Sequence, residues 1–349
     1  MTIADIGEDG ILDILHARFS TSWAEDEVGP GDDAAVIHLG HHTAPGAGPA
    51  RMVVCADTMN QDHSFRLSWP RGVEDNGYST GWKLVAQNLS DLNAMGAIPT
   101  HLVISLALPG WLRVQWVEQF ATGVMASLRY LGVPGVKVAG GDLTAGAEIS
   151  ASLTALGVLA TEAVTQRSIR ANPTVASSYR LIHRGHPGWA TAGLEVLEST
   201  TELPRALSRD AARAVRAQLR PRPELAVGPA VARQVVAMMD VSDGIGRDAH
   251  RLAKANRARV RVDPTWVRRR ATELAPLAQA LTGETATAEQ WVHGGGEDYG
   301  LLAVIGEYDP IPDGFEVIGT LSPATTVDGE SWAAAEQDQG PGWDHFRTS

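Results

Sequence analysis

Acidic residues recur along this chain in one kind of setting, at the end of a short apolar stretch or beside glycine. Residues 31–37, GDDAAVI, place two adjacent carboxylates directly before an apolar run. One such pair is compatible with a solvated turn, because Asp bonds its own backbone and tolerates turn dihedrals. Several of them converging would repel one another and would need a cation. The carboxylates that share this setting are Asp33, Asp57, Asp142, Asp240, Asp243, Glu297 and Asp298.

Asp91 differs from these residues because it lies inside a predicted helix, within the sequence AQNLSDLNAMGA. It shares a helical stripe with Leu84, Asn88 and Met95, so we expect its carboxylate on a half-buried face. Such a carboxylate needs hydrogen bonds, a positive partner or a metal ion. Lys83 lies eight residues earlier, which is too far along a helix for an easy pair. Capping by backbone amides and binding of a metal ion both remain open for Asp91.

Taken together, these carboxylates predict a site for Mg²⁺ and a polyphosphate. Mg²⁺ takes oxygen ligands and usually few carboxylates per ion, while phosphate oxygens and water complete its shell. Glycines beside the carboxylates let a backbone approach a ligand closely. Phosphoryl transfer requires charge neutralisation and alignment rather than covalent chemistry by the protein. The pattern therefore favours a phosphotransferase.

Standard nucleotide-binding motifs do not occur in the sequence. It has no G-x-x-x-x-G-K-[ST] loop and no H-R-D loop, so neither a P-loop enzyme nor a protein kinase is indicated. A rival interpretation comes from GIGRDA at 244–249, which fits G-x-G-x-x-A and precedes Asp263 by about 20 residues, as in a dinucleotide-binding oxidoreductase. Asp240 and Asp243 precede those glycines and would face a pyrophosphate without compensation unless metal ions intervened.

Composition indicates a globular protein with room for two domains, at 349 residues and 44% apolar content. The formal net charge of −12 argues against nucleic-acid and anionic-membrane partners. No stretch approaches the roughly 20 apolar residues of a membrane span, and the acidic N-terminus lacks the features of a signal peptide. The single cysteine, Cys55, excludes an internal disulfide and fits a reducing compartment. We expect a soluble, cytoplasmic protein.

Helical and strand patterns alternate in both halves of the chain, which predicts an α/β or α+β fold. Strands are expected at 50–57, ending at Asp57, at 136–142, running into a glycine turn, at 149–159 and at 179–183. Helices are expected at 10–19, 81–97, 111–132, 189–199 and 206–220. Periodicity lapses at about 160–175. We therefore expect an N-terminal domain at 1–160 and a C-terminal α/β domain at 161–349.

A basic stripe is expected on the helix at 206–220. Its arginines recur at intervals of four, three and four residues, so they share one helix face. Charged helix faces of this kind are usually exposed to solvent. We expect the stripe to be a solvated surface. Its members are Arg209, Arg213, Arg216 and Arg220.

Seven segments, in order along the chain, resemble the thiamine-monophosphate kinase family, in the superfamily of aminoimidazole ribonucleotide synthetase. They are GDDAAV, ADT, AQNLSDLNAMGA, AGGDLT, DVSDG, GGGEDY and the closing GWDHF. The match spans nearly the whole chain, and NLSDLNAMGA and GGGEDY are its most specific parts. The resemblance implies a two-domain, aminoimidazole ribonucleotide synthetase-like subunit that pairs through its N-terminal sheet in a homodimer. ATP and substrate would meet in a cleft beside that interface.

The resemblance also implies an activity and a set of site residues. Family members transfer the γ-phosphate of ATP to thiamine monophosphate, giving thiamine diphosphate, with several Mg²⁺ ions. The implied metal ligands are Asp33, Asp57, Asp91, Asp142, Asp240 and Asp243, with Asp91 and Asp243 organising charge around the reaction. The implied ATP contacts are Gly141, Asp142, Arg167 and Ser242, and the substrate side would hold Ser64, Glu297 and Trp343. No residue is expected to act as a covalent nucleophile.

Two segments depart from the family pattern. A few residues after the D-T motif the family usually reads V-x-G-x-H-F, with a histidine that touches substrate, whereas NQDHSF here places Ser64 at that position and His63 one residue earlier. After Arg167, a turn that usually closes in P-G-D is SIRANPT. These departures leave open a paralogous kinase that phosphorylates a different small metabolite. A non-catalytic binding protein of the same fold is a further alternative, from another functional class.

Overall fold

The computed structural model describes residues 27–28, 32–38, 51–159, 165–169, 178–323 and 342. Within them, two five-stranded sheets form, and each draws its strands from one side of residue 160. This arrangement is a mixed α/β fold, as the alternating sequence patterns predict. The helix predicted at 10–19 lies outside the described residues.

The first sheet has the strand order β1-β2-β5-β3-β4 and is antiparallel except between β3 and β4. Its strands are β1 (Ala35–His38), β2 (Arg51–Asn60), β3 (Ala97–Leu108), β4 (Lys137–Ala145) and β5 (Ser150–Leu159). Helix α1 (Tyr78–Ala94) packs on β2, β5 and β3, and α2 (Val114–Tyr130) packs on α1. In β5 the buried residues alternate as predicted, because α1 covers one face of the sheet.

The second sheet has the order β7-β9-β6-β10-β8 and is antiparallel throughout. Its strands are β6 (Tyr179–Arg184), β7 (Ala237–Val241), β8 (Ala258–Val262), β9 (Gly300–Gly306) and β10 (Glu316–Pro323). The accompanying helices are α3 (Trp189–Glu198), α4 (Ser208–Leu219), α5 (Val227–Val231), α6 (Ile245–Ala255), α7 (Pro264–Ala271), α8 (Ala275–Thr282) and α9 (Thr287–Gly294). An apolar core of its own lies between this sheet and its helices.

Two strands continue beyond their predicted ends. Strand β2 runs past Asp57 to Asn60, because β5 supplies partners as far as Ser150. Strand β4 passes straight through the glycine pair that suggested a turn. A Cβ on Gly141 would lie 1.7 Å from the carbonyl oxygen of Ile104 in β3, so glycine permits close strand pairing there.

Helix α1 joins the two halves of the molecule. Near its C-terminal end, the side-chain oxygen of Asn93 accepts a hydrogen bond from the amide of Gly228 (2.8 Å), and the carbonyl of Ala94 accepts one from Thr165 (2.7 Å). The same end of α1 packs against β7 of the second sheet. This contact holds Asp91 beside the second half of the chain. Among the described residues, no helix has the length and apolar character needed to cross a membrane.

Candidate functional site

Three carboxylates from three separate elements meet where the two halves join. Asp33 precedes β1, Asp91 lies in the last turn of α1, and Asp240 lies in β7. Each offers an oxygen, and these oxygens all lie within 4.8 Å of one another. Asp33 and Asp240 are buried, and Asp91 is partly exposed. All three residues are among those that the sequence predicted as metal ligands.

Asp57 lies beside these three residues, on the face of the first sheet that α1 covers. Its amide donates a hydrogen bond to the side-chain oxygen of Asn88 in α1 (3.1 Å). Burial raises the pKa of Asp57, although hydrogen bonds with Asp91 and Gln87 act in the opposite direction. We refer to Asp33, Asp57, Asp91 and Asp240 as the carboxylate cluster.

Burial and mutual repulsion dominate the electrostatics of the carboxylate cluster. Burial raises the pKa of Asp91 well above its ordinary value, and the charges of Asp57, Asp240 and Asp33 raise it further. Burial also raises the pKa of Asp240 well above its ordinary value, with Asp33 adding to the effect. Without a cation, burial and the neighbouring negative charges therefore oppose ionisation of Asp91 and Asp240.

Arg167 supplies positive charge at the edge of the carboxylate cluster. Its Nε lies 3.0 Å from Oδ1 of Asp33, and its Nη2 bonds the same oxygen. Its backbone amide donates to the carboxylate of Asp32 (3.0 Å), whose pKa burial and Asp33 raise to about 6. The sequence predicted Arg167 as an ATP contact. In this structure it serves as a counter-ion for Asp33.

The carboxylate cluster fits a hard cation. Oδ2 of Asp240 is buried and has no hydrogen-bond partner among the described residues. An unsatisfied carboxylate oxygen in the interior is costly, and here it accompanies two further carboxylates at close range. A set of carboxylate oxygens from several elements is the donor type that Mg²⁺ prefers. The residues present are therefore suited to hold Mg²⁺.

The loop after β7 places Ser242 and Asp243 next to the carboxylate cluster. Their amides donate to the carboxylate of Asp248 at 3.1 and 3.0 Å, and the carboxylate of Asp243 pairs with Arg251. Asp248 is fully buried, and burial raises its pKa to about 7. The sequence analysis did not single out Asp248. Its position in the first turn of a helix, where Asp is favoured, was the available signal.

This loop also weakens the dinucleotide-binding interpretation of GIGRDA. The amides of Ser242 and Asp243, before the start of α6, already bond a carboxylate of the protein. A dinucleotide-binding motif needs such amides for the pyrophosphate, and it belongs to a parallel sheet. The sheet that contains β7 is antiparallel throughout.

Lys83 connects two of the predicted substrate residues. Its Nζ lies 2.6 Å from Oε1 of Glu297 and donates to the carbonyl oxygen of Ser64 at 3.1 Å. Gln218 of α4 donates to the other oxygen of Glu297 at 2.6 Å. Lys83 is buried, so its charge must be matched locally. The sequence analysis considered Lys83 only as a partner for Asp91, because the pairing with Glu297 depends on tertiary contact.

The remaining predicted substrate residues lie at or beyond the edges of this region. The side chain of Ser64 is partly exposed, and His63 is exposed beside it. Trp343 lies outside the described residues. Its neighbour Gly342 is described, and a Cβ there would lie 2.7 Å from the carbonyl oxygen of Asp243. Gly342 therefore lies against the loop after β7.

Gly141 and Asp142 lie away from the carboxylate cluster, on the edge strand β4. Register aligns Asp142 with Ser105, Ser152 and Thr58 across four strands. Three strand spacings separate Asp142 from β2, roughly 14 Å. These aligned residues lie on the open face of the sheet, opposite the face that carries Asp57. The structure therefore separates Asp142 from the other predicted ligands within one subunit.

Comparisons of sequence show what the chain is similar to. A family model described as AIR synthase related protein, N-terminal domain, matches residues 31–159. The chain is 31% identical to a thiamine-monophosphate kinase of Mycobacterium tuberculosis, over 99% of this chain and 93% of the relative. It is 27% identical to a thiamine-monophosphate kinase of Escherichia coli, over 86% of this chain and 83% of the relative.

Comparisons of structure show the same fold in solved proteins. A thiamine-monophosphate kinase from Stenotrophomonas maltophilia superposes with a TM-score of 0.63 at 25% identity, covering 90% of this chain and 93% of that one. A structure described as AaThiL complexed with AMPPCP and TMP superposes with a TM-score of 0.75 at 23% identity, covering 99% of each chain. The two-sheet architecture is therefore shared over nearly the whole length.

Without metal, the protein should lose stability as pH rises, because of the carboxylate cluster. A carboxyl group whose pKa is raised on folding binds more protons in the folded state than in the unfolded state. Its contribution to the free energy of unfolding therefore declines as pH rises above about 4 toward its folded-state pKa. Asp91→Asn removes one such group. In EDTA, its melting temperature should exceed that of the wild type by a few degrees at pH 8, with a smaller difference at pH 5.

The matched control is Asp142→Asn, which removes the same charge from exposed strand β4 and should leave the pH dependence of melting unchanged. Mg²⁺ with a non-hydrolysable ATP analogue should raise the wild-type melting temperature more at pH 8 than at pH 6, because protons compete with cations for the carboxylates. NAD should cause no shift. If the melting temperatures of the wild type and Asp91→Asn depended equally on pH, repulsion within the carboxylate cluster would not be the cause of the pH dependence.

Proposed function

Because this chain belongs to the thiamine-monophosphate kinase family, we propose that it transfers the γ-phosphate of ATP to the phosphate of thiamine monophosphate, with Mg²⁺ as cofactor. The relatives carry the name of that activity, and a neighbour of the same fold is described with AMPPCP and TMP. The observation that carries the proposal is the carboxylate cluster, in which oxygens of Asp33, Asp91 and Asp240 lie within 4.8 Å of one another. The product would be thiamine diphosphate.

Asp33, Asp57, Asp91 and Asp240 would hold the metal, with Asp243 nearby on the loop after β7. Mg²⁺ bound there would neutralise the phosphate oxygens of both substrates. An oxygen of the acceptor phosphate attacks the γ-phosphorus of ATP, and the bond from that phosphorus to its bridging oxygen breaks as ADP leaves with the electron pair. Binding and in-line alignment are the work of the protein in such a transfer, and no side chain needs to form a covalent intermediate.

Arg167 would change partner when the site fills. In this structure its guanidinium neutralises Asp33. A metal ion bound to Asp33 would take over that neutralisation and free the guanidinium for phosphate oxygens, which it matches with two parallel donors. Arg167 would thus serve as an internal counter-ion before binding and as an ATP contact afterwards, with Ser242 on the facing loop.

The acceptor would lie near the bonded group of Lys83, Glu297 and Ser64. Lys83 holds Glu297 at 2.6 Å and Ser64 at 3.1 Å, which ties both residues to α1. Glu297 would then present its carboxylate to the cationic thiazolium of thiamine, an attraction between opposite charges. Trp343, on the closing segment, would lie against the same moiety.

A homodimer with ATP beside its interface would account for Gly141 and Asp142 on strand β4, far from the carboxylate cluster. Strand β4 is an exposed edge, and Leu143 in it is 69% exposed. Val138 in β4, Ile98 in β3 and Val158 in β5 are also exposed. Unpaired edges with apolar side chains are rarely left open in soluble proteins. Pairing of the N-terminal sheets would cover this surface and place Asp142 next to a second subunit.

A paralogous kinase remains the second candidate, because of one observed departure. Ser64 stands where the family carries a substrate-contacting histidine, and His63 beside it is exposed. Ser64 is shorter than histidine and always neutral. The metal and ATP residues match the family, so a change of acceptor would alter only this side of the site.

Release of ADP from ATP tests the proposed function directly. Mg²⁺-dependent release should require thiamine monophosphate, and Asp91→Asn should lower turnover at least about 10²-fold because it removes a shared metal ligand. The matched control is Asp313→Asn, because Asp313 is exposed and far from the carboxylate cluster in sequence. The turnover of this variant should equal that of the wild type. Release with another phosphorylated metabolite alone would favour the paralogue. Near-normal turnover of a folded Asp91→Asn protein would show that Asp91 is not a metal ligand and has a structural role only.

Ser64→His should improve thiamine monophosphate as a substrate. A histidine there can donate a hydrogen bond to the incoming phosphate, worth roughly 1.5–3 kcal/mol, so kcat/KM should rise about tenfold or more, mainly through KM. The backbone bond from Lys83 to Ser64 is retained. His63→Ala should have no effect, because His63 is exposed. A low-micromolar KM in the wild type, made worse by Ser64→His, would eliminate the paralogue.

Leu143→Lys should convert the dimer to a monomer, because it places a charge in the apolar edge that pairing would bury. Light scattering should give twice the chain mass of 37.1 kDa for the wild type and one chain mass for the variant. Val114→Lys is the control, since Val114 is 74% exposed but lies at the start of α2. A monomeric wild type would contradict the proposed pairing.

A further inference from the structure

A cavity of about 360 Å³ lies in the second half of the molecule, outside the carboxylate cluster. The end of β6, one face of α4, the segment 220–227 and the start of β9 form its walls. Its volume falls within the lower part of the range for small-molecule sites. No residue of the proposed transfer site lines it.

The lining of this cavity is strongly basic. Its carboxylates are already engaged: Glu224 pairs with Arg184 at 2.5 Å, and Asp298 accepts the amides of Gly188 and Ala190 at 2.5 and 2.9 Å. The arginines of the lining, which we call the arginine cavity set, are Arg184, Arg213, Arg216, Arg220 and Arg222. The lining therefore has a surplus of positive charge in a protein whose net charge is −12.

Two members of this set lack an anionic partner among the described residues. Arg216 is exposed in the lining and has no ion pair or hydrogen bond to another side chain there. Arg220 has a buried Nε without a hydrogen-bond partner, and its guanidinium lies 6.0 Å from the ring of Tyr78. A buried guanidinium nitrogen without an acceptor is costly, and an anion in the cavity would supply acceptors.

His186 lies in the lining beside the arginines. Burial lowers the pKa of His186, and the charges of Arg213 and Arg270 lower it further, while Glu224 and Glu273 act in the opposite direction. Arg213 is fixed in place, with its guanidinium 3.6 Å from the ring of Trp189. The predicted solvated stripe is confirmed for Arg209, Arg213 and Arg216, which are exposed, whereas Arg220 is partly buried. Three members of the stripe, Arg213, Arg216 and Arg220, also line the cavity. Arg209 alone lies outside the cavity.

The cavity and the proposed acceptor site lie on different faces of α4. Gln218 donates a hydrogen bond to Glu297 and follows Arg216 by two residues. Two residues correspond to a rotation of about 200° around a helix, so the two side chains point to opposite sides of α4. The arginines therefore project away from the side of α4 that meets Lys83 and Glu297. An occupant of the cavity would not compete for those groups.

We propose that this cavity binds a small phosphorylated ligand, through the arginine cavity set, at a site separate from the transfer reaction. Guanidinium groups match phosphate oxygens with planar, paired donors. Several of them around a concave space can take the multiple oxygens of a phosphate ester or diphosphate. This inference does not rest on the proposed function, because it concerns binding alone.

Inorganic pyrophosphate is the probe, titrated calorimetrically into the full chain in EDTA so that metal-dependent binding at the carboxylate cluster is suppressed. The wild type should bind it saturably. Arg216→Ala should weaken binding at least about tenfold, since it removes charged donors to the ligand. Arg220→Gln is a second variant with the same expectation. Arg209→Ala, on the same helix outside the cavity, should bind within twofold of the wild type.

Three results would overturn the proposal. The first is no saturable binding by the wild type. The second is equal weakening in Arg209→Ala and Arg216→Ala, which would indicate general charge attraction. The third is succinate binding as tightly as pyrophosphate, which would show that any dianion suffices. An Asp240→Asn variant locates the site. Pyrophosphate should bind this variant as it binds the wild type. Tighter binding by the variant would instead assign the ligand to the carboxylate cluster. Each variant should melt at the same temperature as the wild type, so that a loss of binding cannot come from unfolding.

Discussion

Mutual repulsion among buried carboxylates is the constraint on which this structure depends. Asp33, Asp91 and Asp240 come from elements on both sides of residue 160 and place oxygens within 4.8 Å of one another. Folding alone gains nothing from such an arrangement, because burial and like charge both oppose ionisation. The packing of α1 on β7, reinforced by the bond from Gly228 to Asn93, holds them together nonetheless. Interactions elsewhere in the fold therefore sustain a site whose favourable state requires a cation.

Internal cations occupy the places where ligands are expected. Arg167 neutralises Asp33, and Lys83 neutralises Glu297. Both pairs are partly or fully shielded from water, so removing one partner without a substitute would leave a costly charge. Binding of Mg²⁺ and substrates would then exchange one set of ion pairs for another. This exchange keeps each charge matched before and after the site fills.

Sequence predicted the parts of the site that depend on local pattern. The helix that carries Asp91, the alternation in β5 and the positions of Asp33, Asp57 and Asp240 follow from spacing and from the family motifs. Contacts between distant segments could not be read in this way. Lys83 pairs with Glu297, and the arginines of α4 line a cavity, only because separate elements fold against each other.

Gly140 and Gly141 show the same limit of local sequence patterns. Gly140 and Gly141 suggested a turn, yet they lie inside β4, because close approach to β3 is an equally good reason for glycine. The placement of Asp142 on the far edge of the sheet follows from that strand. Its distance from the carboxylate cluster is consequently set by the strand order of the sheet and could not be read from the local sequence.

The most direct measurement of the central claim is the anomalous scattering of Mn²⁺ in crystals grown with a non-hydrolysable ATP analogue. Mn²⁺ takes the same oxygen donors as Mg²⁺. We predict an anomalous peak bound by Asp33, Asp91 and Asp240, with the guanidinium of Arg167 moved from Asp33 to a phosphate oxygen. A bound nucleotide with no ion at these carboxylates, and with Arg167 still paired to Asp33, would contradict the account.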